Sequence, residues 1–202
     1  MGFGQIIAGI AAAAVVAEGA YATATGPSKL LRPPGSQGES DFMSRCIKCG
    51  KCIEACPYQA IKTAGLLEGA AAGTPCIEEA ERACRLCKDF PCVAACPTGA
   101  LRDVEKKEDV DMGYVKINQN TCIAFQGLRC EVCYRVCPLI DEAITIEYEE
   151  LETDNIHMKF IPTINKEKCT GCGLCVQRCV VREPKVAMRV VSIAEQELKQ
   201  SD

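Results

Sequence analysis

Sixteen of the seventeen cysteines in this 202-residue chain fall into four groups of four, and any fold it adopts must answer to them. The groups are Cys46/Cys49/Cys52/Cys56, Cys84/Cys87/Cys92/Cys96, Cys122/Cys130/Cys133/Cys137 and Cys169/Cys172/Cys175/Cys179. The first and fourth read C-x2-C-x2-C-x3-C, the second is spaced x2, x4, x3, and the third x7, x2, x3. Three groups end in Cys-Pro, at Pro57, Pro97 and Pro138, while the fourth ends in Cys179-Val180. Disulfides need a separation and direction that a C-x2-C-x2-C loop cannot give all its members, and a disulfide framework belongs to shorter chains. Zinc is the stronger rival, but four-cysteine zinc sites normally join two separated pairs. Soft thiolates suit zinc or iron–sulfur among common metals, and the Cys-Pro endings favour iron–sulfur. Four quartets imply four [4Fe–4S] clusters with all sixteen cysteines as iron ligands.

The rest of the composition supports a fold organised by metal. There is no tryptophan and only 5% aromatic content, a thin supply of large core-filling side chains. Metal binding and folding are then one transition, and the metal-free chain is expected to be largely unfolded. The formal net charge of −4 omits thiolates and cluster charge. With Lys and Arg scattered and no basic run longer than a pair such as Lys106-Lys107, it argues against a nucleic-acid partner. No nucleophile–base pairing, Walker loop or G-x-G-x-x-G occurs, so no catalytic residue is assigned and the chain reads as a carrier rather than an enzyme. Cys76 fits no group and reads as a spare thiol, and His157, the single histidine, as an ordinary loop or strand residue.

Laid over one another, the groups reveal a repeat. Each is followed by Ala plus an apolar residue: Ala60-Ile61, Ala100-Leu101, Ala143-Ile144 and Ala187-Met188. Val115–Asn118 and Pro162–Asn165 precede the third and fourth groups and read as short strands. The unit is strand, cysteine loop, short helical turn, strand, which is the ferredoxin half-repeat. Each Cys-Pro proline fixes φ and removes a donor, so it ends the helical turn and sets the direction of the fourth cysteine. Cys179 lacks that support. The expected fold class is α+β, with two loop-rich ferredoxin-like modules and four cluster-binding repeats. The insertions in groups two and three are expected to shape a partner-facing surface.

The N-terminus has a different character. Residues 3–24 are apolar and small with Glu18 as the single charge, and Ala22-Thr23-Ala24 fits a cleavage site, so residues 1–24 are expected to be an export signal or membrane-proximal segment. A transmembrane anchor and a buried helix are the rival readings. No Lys or Arg precedes Lys29. The expectation is that Met1 is internal to a longer signal whose twin-arginine motif lies upstream. Residues 25–40, rich in Gly, Pro and Ser, are expected to be a linker.

The residues between the cysteines are more specific than the spacing. Leu31-Arg32-Pro33-Pro34-Gly35, the run from Cys122 to Asp141 (CIAFQGLRCEVCYRVCPLID), Phe160-Ile161-Pro162 and Cys169-Thr170-Gly171-Cys172-Gly173 resemble the MauM/NapG family of ferredoxin-type proteins over about residues 30–192. That resemblance implies a periplasmic electron relay at the outer face of the cytoplasmic membrane. It would take electrons from a quinol-oxidising membrane partner of the NapH type and pass them toward periplasmic nitrate reductase. The alternative inside the family is an accessory role in methylamine dehydrogenase maturation or electron supply; outside it, a metal-bearing scaffold that transfers no electrons.

In ferredoxins the fourth cysteine of a group crosses to a partner cluster, so the groups must pair. The likeness of groups one and four suggests a nested arrangement like that of other four-cluster electron-transfer subunits. Cys46, Cys49 and Cys52 would take Cys179, and Cys169, Cys172 and Cys175 would take Cys56. Cys84, Cys87 and Cys92 would then take Cys137, and Cys122, Cys130 and Cys133 would take Cys96. The outer module would be 41–75 plus 157–195, the inner one 76–156, and 196–202 a tail. Sequential pairing, one with two and three with four, is the rival.

Overall fold

The structure, a computed structural model, describes residues 29–151, 157–184 and 186–200. The segment 1–24, on which the export expectation rests, lies outside the described residues. Among the described residues no helix is long and apolar enough to cross a membrane.

Every cysteine group is built around a single turn of helix. After α1 (Glu39–Arg45) come α2 (Lys51–Glu54), α3 (Pro91–Ala94), α4 (Val132–Val136) and α5 (Leu174–Arg178), which carry Cys52, Cys92, Cys133 and Cys175. Four or five residues are far too few for a helix to persist alone, so these turns depend on what packs around them. Gly50 and Gly173 start α2 and α5 in the left-handed region, at φ 76° and 78°. A left-handed residue turns the cysteine loop into the helix, and glycine takes it without steric cost. In group two the same position is Phe90, left-handed at φ 37° and buried.

Three antiparallel strand pairs complete the fold. β1 (Ile61–Thr63) pairs with β2 (Pro75–Ile77), β3 (Gly113–Ile117) with β6 (Met188–Ser192), and β4 (Ile144–Glu150) with β5 (Met158–Ile164). The strands expected before groups three and four are β3 and the end of β5. Three of the four Ala-apolar pairs open a strand, since β1, β4 and β6 begin at Ile61, Ile144 and Met188. At the fourth, the Arg102 amide donates to the Gly35 carbonyl at 2.9 Å. All four alanines are buried, where nothing larger than a methyl group is carried against the loops.

Two terminal expectations need correction. Residues 31–36 are buried, and Leu31 bridges to Ile77, so the second half of the expected linker is core. Pro33, Pro34 and Gly35 serve close packing there: a Cβ on Gly35, at φ 88°, would lie 2.4 Å from the Arg102 carbonyl oxygen. The expected tail is instead mostly helix, α6 (Ile193–Gln200), which buries Ala194 and reaches α1, with Glu197 accepting from the Glu39 amide at 3.1 Å.

One apolar core runs through both halves, joining Phe42, Ile77, Phe90, Leu101 and Met112 to Val115, Ile144, Leu174 and Val190. Cys52, Cys84, Cys92, Cys133 and Cys172 belong to it.

Candidate cluster-binding sites

Three apolar cavities collect cysteines from more than one group. Cys46, Cys49 and Cys52 share a cavity with Cys96, walled by Phe42, Pro75 and Leu101. Cys84, Cys87 and Cys92 share another with Cys56, against Pro34, Ile61 and Phe90. Cys169, Cys172 and Cys175 line a third with Cys137 and Cys133, against Val115, Leu139 and Ile144. Cys122 and Cys130 stand beside Cys133 closely enough for their charges to act on it.

The cavities thus gather cysteines of groups one and two, and of groups three and four. Cys56 lies with group two and Cys137 with group four, which corrects the nested expectation that placed them with groups four and two. Helix α2 packs on α3, and α4 on α5, in the same sense. The β3–β6 and β4–β5 pairs both join strands on opposite sides of the boundary at residue 156 that the nested modules require. The physical reason is loop closure. A fourth cysteine that meets the next group closes a short loop, whereas nesting closes one of more than a hundred residues, and consecutive units are usually neighbours in space.

Burial governs the electrostatics. It pushes the thiols of Cys52, Cys84 and Cys133 up to about 12, and those of Cys92 and Cys172 up to about 11. Neighbouring thiols add to the shift, Cys46 and Cys92 on Cys52, and Cys172 on Cys84. At these depths the thiols stay neutral by themselves, and they would ionise together only around a positive centre. Backbone donors already point at the sulfurs: the Ala60 amide donates to Cys56 Sγ at 3.3 Å and the Leu86 amide to Cys84 Sγ at 3.5 Å. At Cys96 burial raises the thiol, but the amides of Leu101, Thr98 and Ala100 and the Thr98 hydroxyl together outweigh it and lower the pKa.

The donor set fits a cubane better than a single ion. Among the described residues no three His, Cys, Asp or Glu side chains close on one metal-ion position, although four thiols face each of two cavities. A tetrahedral zinc would draw its sulfurs together at about 2.3 Å from the metal. A four-iron cube holds them farther apart.

The two insertions differ. In group two Phe90 is buried and, with the half-buried Pro91, walls the second cavity, while Lys88 and Asp89 of the same insertion are exposed. In group three, Leu128 is 59% exposed, while the Arg129 guanidinium lies 4.7 Å from the Phe160 ring and pairs with Glu131. Cys76 is buried in β2 opposite Lys62, and the His157 carbonyl accepts from the Leu151 amide at 3.1 Å.

Two supporting constellations carry no cysteine. Arg32 is buried; it donates to Thr74 Oγ1 at 2.7 Å and the Pro75 carbonyl at 3.0 Å, pairs with Glu39, and lies 4.6 Å from the Phe42 ring. It ties α1 and β2 to the wall of the first cavity. Ser192 caps α6, its Oγ accepting from the Glu195 amide at 3.2 Å. The sequence signal for the second was the S-x-x-E spacing of a capping box. A lone arginine before two prolines gave no such signal for the first.

Comparison with known proteins now adds to this geometry. Residues 45–100 and 128–182 each match the 4Fe-4S dicluster domain family. The chain is an iron–sulfur, ferredoxin-type electron-transfer protein. It is 44% identical over 192 residues to the ferredoxin-type protein NapG of Escherichia coli (strain K12), covering 94% of this chain and 83% of the relative. It is 42% identical over 187 residues to the methylamine utilization ferredoxin-type protein MauM of Methylorubrum extorquens, covering 92% and 81%. The ferredoxin-type protein NapF of Escherichia coli is 28% identical over 151 residues, or 75% of this chain and 80% of that one. The chain belongs to the NapG and MauM family of ferredoxin-type proteins.

Proposed function

We propose that this chain is a four-cluster electron relay of two consecutive modules. In the first, Cys46, Cys49, Cys52 and Cys96 hold one [4Fe–4S] cluster and Cys84, Cys87, Cys92 and Cys56 a second. In the second, Cys169, Cys172, Cys175 and Cys137 hold a third, and Cys122, Cys130, Cys133 and Cys179 a fourth; Cys179 takes this place as the one group cysteine left in that module. The observation that carries the reading is the exchange of Cys56 and Cys96 between the first two cavities, the crossing that two-cluster ferredoxins use.

When bound, the clusters supply one-electron oxidation and reduction. The protein's own part is to fix their spacing, exclude water with Phe42, Phe90, Leu139 and Ile144, and aim amides at the sulfurs. No substrate bond is made or broken. The extent of the similarity to NapG supports a periplasmic relay from a NapH-type quinol-oxidising membrane partner to nitrate reductase. Comparable identity to MauM supports the second reading, service to methylamine dehydrogenase. A non-redox scaffold is the reading outside this class.

Iron and acid-labile sulfide analysis tests the clusters, with about sixteen irons per chain expected from four cubanes. Zinc, or much less iron, would favour the scaffold. Reoxidation of the reduced protein by nitrate reductase, and not by an amine-dehydrogenase system, is the expected result for the pathway. The reverse pattern would transfer the assignment to the second reading.

A further inference from the structure

The two modules share one apolar core and touch at several places, among them the Glu39–Glu197 and Lys29–Ser192 hydrogen bonds, and one of their contacts is made by ligand loops, those of cysteine groups two and four. The Cys84 amide donates to the Cys172 carbonyl at 3.0 Å, so a ligand loop of the first module is hydrogen-bonded directly to a ligand loop of the second. Around that bond, Gln177 Nε2 donates to the Glu81 carbonyl at 2.7 Å and the Val190 amide to the Glu79 carboxylate at 3.3 Å. The seam is close. A Cβ on Gly173 would lie 2.4 Å from Glu79 Cβ, so no larger residue lets the loops approach this far. Inside each module a second pair of cysteines stands together: Cys52 beside Cys92, and Cys175 with Cys133 on one cavity. Each group has a buried cysteine on the inner side, Cys52, Cys92, Cys133 and Cys172, but group one also exposes Cys49 next to Ile47, itself 63% exposed, and group three carries exposed Leu128.

We infer that the groups form one line in the order one, two, four, three, joined at the Cys84–Cys172 contact, with groups one and three as the two ends that meet partners. The inference rests on the four-cluster reading above and adds its order. With clusters bound, each hop would oxidise the cluster held by one group by a single electron and reduce that held by the next, with no bond broken and no proton transferred. The reductant at one end and the acceptor at the other are the one-electron partners of the relay. Chain order and transfer order thus differ, because the fourth group lies between the second and third.

The experiment uses full-length protein loaded with iron and sulfide, reduced and examined by low-temperature EPR. Iron content of the unmodified protein tests the four-cluster reading by itself, separately from the order. Cys49→Ala with Cys122→Ala disables the end groups, and the remaining two should keep a magnetically coupled signal. Cys87→Ala with Cys169→Ala disables the middle groups, and the remaining two should give isolated, uncoupled signals. The opposite result, or the same coupling state in both variants, would overturn the order. A third variant retains every cysteine: Glu79→Ala with Gln177→Ala loosens the seam. Because the Cys84–Cys172 backbone bond remains, this variant should weaken the coupling between the middle groups at unchanged iron content while leaving the coupling inside each module intact, and a change confined to the coupling inside a module would overturn the proposal.

Discussion

At Arg32 the guanidinium is fully engaged inside the protein, by Glu39, Thr74, the Pro75 carbonyl and the face of Phe42. Truncation to alanine would leave the mostly buried Glu39 carboxylate without its partner. Removing one member of a buried ion pair costs about 3–5 kcal/mol, more than the pair contributes against an apolar substitute. Arg32→Ala should therefore shift the denaturation midpoint of the loaded protein strongly downward, and Arg32→Lys should recover little because the planar fork is lost. A different residue sets redox tuning. Thr98 Oγ1 lies 3.8 Å from Cys96 Sγ, and hydrogen bonds to sulfur stabilise the more negative, reduced state. Thr98→Val is expected to lower the reduction potential of the group completed by Cys96, at unchanged iron content, in an EPR-monitored titration. An unchanged potential would argue against Cys96 as a ligand.

Among the elements, α6 has a pH dependence that can be given a sign. Arg189 and then Lys199 hold the Glu195 carboxyl down, from 4.5 to about 2, against the opposing effect of burial. A lowered folded-state pKa gives stability that is present above the unfolded value and is lost as pH falls through the folded one. The contribution is thus complete above about 4.5 and disappears toward pH 2. Glu195→Gln should speed amide exchange in α6 at pH 7, and exchange in the wild type should approach the variant's only as the carboxyl protonates. Equal exchange at pH 7 would contradict the assignment. This helix also marks where sequence reading stopped. Alternating residues before Cys122 and Cys169 made β3 and β5 legible, and the Ala-apolar pairs made the strand starts legible. Helix α6 carried its capping signal at Ser192 and Glu195, but without a cysteine nearby it passed for a tail. Residues 31–36 read as a linker because proline and glycine also signal loops; only the burial of Arg32 shows that they restrict the backbone for packing.

At the scale of the whole molecule, the cysteine quartets were legible and the company each fourth cysteine keeps was not. Spacing within a group reports how one loop wraps its own thiols, so groups one and four look alike because they are the uninserted form. Which fourth cysteine joins which loop is set by chain closure and by strands such as β4 and β5 that hold a module together, and spacing carries no record of either. The metal supplies the remaining constraint: one-turn helices and a core that includes Cys52, Cys84 and Cys133 cannot persist around protonated, unligated thiols as they do around iron. Chelation of iron from the loaded protein is accordingly expected to collapse near-native secondary structure in circular dichroism, together with loss of the visible cluster absorbance. Retention of that structure would show an apolar core sufficient by itself.

The central claim is the sequential exchange of the fourth cysteines. An anomalous-scattering map of iron in crystals of the loaded protein tests it directly. Four separate cubanes are predicted, with Cys56 bound to the one held by Cys84, Cys87 and Cys92, and Cys96 bound to the one held by Cys46, Cys49 and Cys52. Cys56 on the iron of Cys169, Cys172 and Cys175 would contradict the account and restore the nested arrangement.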